Sequence, residues 1–173
     1  LGSILGTDGK KLSKRHGAVS VDEFRTAGYL SEALVNFLAL IGWAPDGETT
    51  VMSRDELLDR FRLDAVSPSP GTFDYAKLDW LNGVYARALD PSAYADRLVL
   101  WVGEQGLEWP AERVHEAAPL VQEKIGRFGE FPAFAGFLFG DVEPDPALLE
   151  RRLLLAAAGA LDAVEPWSAE AIE

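Results

Sequence analysis

"DGKKLSKRHG", Asp8 to Gly17, packs four cations, two glycines and one serine into ten residues, and Leu12 is its one apolar side chain. It stands at the start of an acidic chain. The 173 residues sum to −12, and residues 1–15 set Lys10, Lys11, Lys14 and Arg15 against Asp8, so the remainder carries −15. Glycine in a loop lets backbone approach a ligand closely. Lysine is a flexible point charge, suited to a triphosphate. A mobile loop with two lysines can follow a phosphoryl group as its charge grows in a transition state, and such electrostatic stabilisation is often the largest catalytic contribution. Lys11 and Lys14 are therefore candidate phosphate ligands, with Ser13 supplying a hydroxyl or shaping the turn. The bland alternative is a solvated basic turn.

The rest of the chain narrows the choice. Its apolar content is that of an ordinary globular protein, so a core is feasible and disorder is not expected. No apolar run reaches the roughly 20 residues of a membrane span; the richest, Ala33 to Ile41, is shorter and is interrupted by Asn36. No secretory signal pattern is visible. The absence of cysteine excludes a disulfide framework and a thiolate metal site, and fits a reducing compartment. His16 and His115 lie far apart without a third ligand at metal spacing, so no metal site is expected. An acidic body argues against broad nonspecific nucleic-acid binding but leaves room for local basic patches. The chain lacks an initiator Met and ends on "SAEAIE", the pattern of a helix start, so a fragment of something longer is expected.

Helix signals dominate. Leu1 to Leu5 reads as a short strand. Ser20 with Glu23, and Ser53 with Glu56, are capping boxes. Gly28 is placed to end the first helix. Ser31 is a cap for the next, on which Leu34, Phe37, Leu38 and Ile41 form one apolar face up to Gly42. Leu57, Leu58 and Phe61 are the expected buried face of a third. "AVSPSPGTFD", with two prolines and a glycine, is held extended or turned and is a candidate hinge. Leu78, Leu81, Val84 and Tyr85 have helical spacing, and Asp90-Pro91 starts a further helix with Leu98, Trp101 and Val102 inward. Pro110 opens another, which Pro119 should split into 111–117 and 119–126. Five of nine phenylalanines fall between Phe128 and Phe139, read as a packed aromatic helix. Asp145-Pro146 starts a long helix with Leu149, Leu153, Ala156 and Ala160 along one side. The fold class is mainly α.

Lys-Leu-Ser-Lys-Arg matches the "KMSKS" loop of class I aminoacyl-tRNA synthetases. Beyond it, "DGKKLSKRHGAVSVDEFRTAGYLSEALVNFLALIGW", Asp8 to Trp43, resembles the bacterial glutamyl-tRNA synthetase family almost residue for residue. "FDYAKLDWLNGVYARAL", Phe73 to Leu89, resembles that family's helix after the hinge, and "EPWSAEAIE" resembles the start of a helix in its last domain. The resemblance is dense over residues 8–89 and thinner from 90 to 165. It implies activation of glutamate with ATP and Mg, then transfer to tRNA(Glu), by a cytoplasmic monomer with no membrane association. The "HIGH" motif and the Rossmann domain are not found, so a C-terminal fragment is implied. It would comprise a KMSKS loop and stem-contact region over 1–66, a linker helix and first helical anticodon-binding subdomain over 67–142, and a truncated second subdomain over 143–173. Such a fragment is expected to form no glutamyl-adenylate alone, as pyrophosphate exchange would register.

Residue by residue, the resemblance makes Lys11 and Lys14 the catalytic lysines, and Lys11, Ser13, Lys14 and Arg15 the ATP contacts. Arg15 stands where most class I loops have serine, and Leu12 where they have methionine. For tRNA, the candidates are Lys77, Trp80 and Arg87 in the second block and Lys124 and Arg127 around Gly126. Each has a structural reading beside it: Trp80 as a core residue, Lys77 and Arg87 as a solvated face, Lys124 and Arg127 as cations favoured by a helix C-terminus. Tyr85 is expected packed with its hydroxyl paired, and Trp109 and Trp167 as packing staples. His16 belongs to the matching block without an assigned role. Open alternatives are a non-catalytic helical tRNA-binding module, a class I lysyl-tRNA synthetase fragment, and a helical interaction protein with a chance basic loop.

Overall fold

The computed structural model describes residues 2–17, 20–140 and 150–164. The chain divides into two compact units, Leu1–Phe139 and Gly140–Glu173.

The first unit is mainly helical. Strand β1 (Ile4–Leu5) leads through the basic loop into α1 (Val21–Thr26) and α2 (Ser31–Gly42); α3 (Arg54–Arg60) follows a surface loop. The Pro-rich segment ends in β2 (Gly71–Thr72), and α4 (Tyr75–Ala88), α5 (Pro91–Glu104), α6 (Ala111–Val121) and the short α7 (Phe131–Ala135) complete the unit. β1 and β2 pair in parallel, Ile4 with Gly71 and Leu5 with Thr72. The candidate hinge is thereby tied to the first strand, and the core runs across it: Phe24, Leu34 and Phe37 pack with Phe73, Leu78 and Leu81. A larger cluster lies around α5 and α6, where Tyr94, Leu98 and Val102 meet Val114, Ala118, Val121 and Phe131. A third joins Trp43, Met52 and Leu57.

Local signals set the starts. At both capping boxes the serine hydroxyl accepts the N–H three residues on, and the glutamate accepts the serine N–H: 3.2 and 2.9 Å at Ser20–Glu23, 3.2 and 2.7 Å at Ser53–Glu56. Asp74 caps α4 through the Lys77 N–H, and Asp90 caps α5 ahead of Pro91.

Several expectations are corrected. Ser31 is the first residue of α2, not its cap; the cap position is Leu30, whose N–H is instead bound by the side chain of Asn82 at 2.8 Å. The buried face of α2 is turned toward Ala33, Leu34, Asn36 and Phe37, leaving Leu38 exposed. On α3 only Leu57 is buried; Leu58 and Phe61 are exposed, because two turns of helix offer one inward position over Trp43 and Met52. α6 runs through Pro119 to Val121. The proline removes the rung to the His115 carbonyl, and buried Ala117, Ala118 and Val121 hold the helix on both sides of it. The phenylalanine segment is a series of tight turns around the five-residue α7, broken by Gly129, Pro132 and Gly136. It buries Phe128 and Phe131 and leaves Phe134 and Phe137 exposed. Trp109 does staple this region, stacked on Phe139 at 4.4 Å and edge-on to Phe131.

In the second unit the described helix is α8 (Arg151–Leu161), which carries Leu153, Ala156 and Ala160. The expected start at Asp145-Pro146, Leu149 and Trp167 lie outside the described residues.

Three buried amides fasten the first unit where side-chain packing alone would not. Asn36 Nδ2 donates to the Thr50 carbonyl, and its Oδ1 accepts the Met52 N–H. Asn82 accepts from Leu30 and donates to the Gly126 carbonyl at 2.6 Å. Gln122 Nε2 donates to the carbonyls of Ala86 and Leu89. The Tyr85 hydroxyl joins this set as expected, reaching Asn36 Oδ1 at 2.7 Å and the Met52 carbonyl.

Candidate functional site

The basic loop is built onto β1. Gly6 N–H donates to the Lys10 carbonyl at 2.8 Å, and Leu12 N–H donates to the Ile4 carbonyl at 3.0 Å, so the return limb lies against the strand. Leu12 turns inward and packs against the aromatic cluster of Phe24, Phe37 and Phe73. The cations turn outward: Lys10, Lys11, Lys14 and Arg15 are all exposed. Lys14 has 85 % of its side chain accessible and its Nζ lies 3.8 Å from Glu23 Oε1, an exposed pair of small energetic weight. Ser13 is half-buried and precedes a single turn of tight helix, Lys14–His16. The cationic ends of Lys11, Lys14 and Arg15 are thus presented to solvent from a main chain that is hydrogen-bonded at its base.

What the sequence left unassigned is His16. Its side chain is 11 % accessible. Nδ1 lies 3.1 Å from the Ser13 nitrogen, hydroxyl and carbonyl oxygen, and Nε2 lies 3.0 Å from Asp8 Oδ1; in the tautomer whose Nδ1 accepts the Ser13 N–H, Nε2 carries the proton and donates to Asp8. The same Asp8 oxygen accepts the Lys10 N–H. That backbone hydrogen bond, aided by His16, holds the Asp8 carboxyl below the ordinary aspartate range. The ring abuts the main chain of Gly6, where a Cβ would stand 2.6 Å from His16 Cδ2. The only sequence signal for this was the eight-residue spacing of Asp8 and His16 within one loop.

On α4, Lys77, Trp80 and Arg87 are exposed along one side, opposite buried Leu78, Leu81, Asn82 and Ala86. Spacings of three and seven residues place them on neighbouring turns of one face. Trp80 is 51 % exposed, so it is not the core residue its type suggested. Lys124 is exposed at the end of the turn after α6. Arg127 is different. Its Nη1 donates to the Tyr29 hydroxyl at 2.7 Å and lies 3.3 Å from Asp79 Oδ1, its Nε faces Glu130, and its guanidinium carbon sits 5.3 Å over the Tyr29 ring. Tyr29 in turn donates to Asp79. Burial, with the Asp79 carboxylate beside it, pushes the Tyr29 phenol up to about 12.

This cluster joins the loop to the helices behind it. A cleft of about 330 Å³ is lined by Gly17, Tyr29, Tyr75, Arg127 and Gly129. The turn after α1 crosses the Phe128–Gly129 turn main chain to main chain: Phe128 N–H donates to the Gly28 carbonyl at 3.1 Å. Gly28 has φ +83, and a Cβ there would stand 2.3 Å from the Gly129 nitrogen. The end of α1 is further tied to α5, where Arg25 pairs with Glu104 and Trp101 Nε1 donates to the Thr26 carbonyl. Arg127 is therefore brought next to the end of the basic loop; the structure does not bring Lys77, Arg87 or Lys124 into contact with it.

Comparison with known proteins gives this arrangement its context. Residues 1–80 match the family model described as tRNA synthetases class I (E and Q), catalytic domain. The chain is 39 % identical over 98 % of its length to a glutamate–tRNA ligase of Herpetosiphon aurantiacus, and covers 38 % of that protein. It is 40 % identical over 98 % of its length to one of Roseiflexus sp., covering 37 %, and 42 % identical over 80 % to one of Heliobacterium modesticaldum, covering 29 %. The fold matches, with a TM-score of 0.72 and 24 % identity over 95 % of the chain, the crystal structure of a glutamate tRNA ligase from Elizabethkingia meningosepticum in complex with its amino acid, of which it covers 38 %. The chain thus spans well under half the length of the relatives it matches. Among the described residues no helix is long and apolar enough to cross a membrane. Matched along nearly all of its own length, the chain is similar to a segment of glutamate–tRNA ligases, and its first 80 residues to the catalytic-domain model of class I tRNA synthetases.

Proposed function

We propose that this chain is the C-terminal part of a glutamate–tRNA ligase, supplying the loop that meets the ATP phosphates and the helices that meet tRNA(Glu). The observation that carries the reading is the exposed Lys11–Lys14–Arg15 set on a loop hydrogen-bonded to β1, in a chain matched over 98 % of its length by ligases of this kind. Glutamate and ATP, with Mg accompanying the triphosphate, are then the substrates, and the enzyme works as a cytoplasmic monomer. Lys11 and Lys14 serve as the catalytic lysines. Their ammonium groups neutralise charge that shifts along the triphosphate as the phosphoryl group reacts, while Ser13 and Arg15 complete the phosphate contacts. Residues 1–66 form the loop and stem-contact region, 67–142 the linker helix and first anticodon-binding subdomain, and 143–173 the start of a second.

For tRNA, Lys77, Trp80 and Arg87 form one face of α4, with Trp80 free to stack on a base or ribose. Lys124 adds a phosphate contact. Arg127 contributes with part of its guanidinium already committed to Tyr29, Asp79 and Glu130. The acidic body confines RNA contact to such local cations.

The test is tRNA(Glu) binding measured against salt concentration. The chain is expected to bind with a linear log–log salt dependence, and Lys77→Ala, Arg87→Ala or Lys124→Ala each to lower the slope by about one phosphate contact. Salt-independent binding, or none, would remove the tRNA reading.

A further inference from the structure

We infer that His16 is a positioning residue for the phosphate loop: it clasps the outgoing limb at Asp8 to the return limb at Ser13, so that Lys11 and Lys14 are offered from a turn already formed. The inference rests on the phosphate-binding reading of the loop given above and adds to it a residue that touches neither phosphate nor tRNA.

Five contacts converge on one ring. Nδ1 lies 3.1 Å from the Ser13 nitrogen, whose N–H it can accept, and 3.1 Å from the Ser13 hydroxyl and carbonyl oxygens. Nε2 donates to Asp8 Oδ1 at 3.0 Å. The ring abuts Gly6, at a distance that leaves no space for a side chain. Between the two clasped points stand Lys10 and Lys11, and Lys14 follows directly on Ser13. The ring is nearly buried while every cation around it is exposed. The division of labour is physical. Mutually repelling cations cannot hold a tight loop closed, so the imidazole does it through its two ring nitrogens, and the lysine charges stay available. The base of the loop, where Leu12 bonds to Ile4 and Gly6 to Lys10, fixes only one end. Without the imidazole, the limb from Ser13 to Gly17 has its tight turn but no link back to Asp8. A loop closed only a fraction of the time binds its ligand more weakly by that fraction.

The two ring nitrogens can be tested separately. In His16→Asn the amide reaches only the Nδ1 position and can keep the Ser13 bond; in His16→Gln it extends to the Nε2 position and can keep the Asp8 bond. His16→Ala loses both. Magnesium tripolyphosphate is titrated into each variant of the chain, followed by amide NMR shifts in residues 8–17, with hydrogen exchange of the Leu12 and Ser13 amides measured beside it. His16→Ala is expected to weaken binding about tenfold, as a closed fraction of about one-tenth would, and to speed exchange at Ser13 with global stability little changed. Asn and Gln are each expected to recover part of the loss. Asp8→Ala should weaken binding in a way that does not add to His16→Ala, because the two side chains act as one clasp. Should His16→Ala fold poorly, the Asn and Gln variants carry the comparison.

Equal tripolyphosphate affinity in wild type, His16→Ala and His16→Gln would overturn the inference and leave the loop reading intact. No binding by the wild-type chain would overturn the loop reading itself, and the positioning role with it. Strictly additive losses for Asp8→Ala and His16→Ala would also overturn the clasp.

Discussion

Asn82 is the residue whose replacement should reveal most about what holds the first unit together. It is fully buried and spans two distant main-chain groups, taking the Leu30 N–H at 2.8 Å and giving its own N–H to the Gly126 carbonyl at 2.6 Å. Leu30 is the cap position of α2 and Gly126 lies in the turn after α6, so one amide ties α4 to both neighbours. Asn82→Leu keeps the branched outline of the side chain and strands both groups. A buried donor or acceptor left unpaired costs about 1–3 kcal/mol, so the pair should cost about 2–6 kcal/mol. That is a large share of the roughly 5–15 kcal/mol that stabilises a domain. Asn82→Asp keeps an acceptor for Leu30 but turns an oxygen toward the Gly126 carbonyl. At neutral pH its penalty should be at least as large, because an ionised carboxylate is buried against that carbonyl, and it should shrink as pH falls and the acid gains an O–H to donate. The measurement is urea unfolding followed by circular dichroism, with the free energy extrapolated to water at constant m. Asn82→Leu within about 0.5 kcal/mol of wild type, the range of surface substitutions, would refute the reasoning.

Two further outcomes follow from the crossing behind the loop. Gly28→Ala combines a left-handed φ of +83 with a Cβ 2.3 Å from the Gly129 nitrogen, whereas Gly129→Ala meets the Ala27 carbonyl, its oxygen at 2.4 Å and its carbon at 3.1 Å, without a left-handed φ. Left-handed backbone alone costs a non-glycine residue about 1–2 kcal/mol. Gly28→Ala should therefore be the more damaging in thermal unfolding, and the opposite ranking would show that the turn relaxes freely. Tyr29 should titrate well above an ordinary phenol, near 12, but ahead of Tyr94, whose phenol burial raises further, in ultraviolet difference spectra, and Tyr29→Phe should delete that step. The neutral phenol is favoured in the folded state, so its contribution is complete below the unfolded value of 10.0 and is lost as pH rises toward 12. A Tyr29 step near the unfolded value would contradict the Tyr29–Asp79 hydrogen bond.

Much of the helical skeleton was legible because its signals are local. Ser20–Glu23, Ser53–Glu56 and Asp90-Pro91 work through groups two or three residues away, and each starts a helix where expected. The inward face of α2 was misjudged because the rule counts Asn36 as polar, while here its amide is buried against the Thr50 and Met52 main chain. The partners of Asn36, Asn82 and Gln122 are peptide groups 14 to 52 residues away, and a peptide group has no sequence signature. Pro119 was read as a breaker from its chemistry alone; the burial of Ala117, Ala118 and Val121 around it carries α6 through. In the loop, the cations were visible at once, because charge is a property of composition. The histidine that closes it was not, because its role depends on where Asp8, Ser13 and Gly6 come together.

β1 is only two residues long, yet both of its edges are taken: Gly71 and Phe73 donate to Ser3 and Leu5 on one side, and Leu12 donates to Ile4 on the other. Strand registry is stepwise. A slip by one residue moves a strand by about 3.3 Å and turns every side chain to the opposite face. Any such slip here would have to break the pairing to the Pro-rich segment and to the lysine loop in the same event. The loop root therefore behaves like a ratchet tooth: engaged in one notch or released altogether, with no intermediate setting through which Lys11 could creep toward or away from a phosphate.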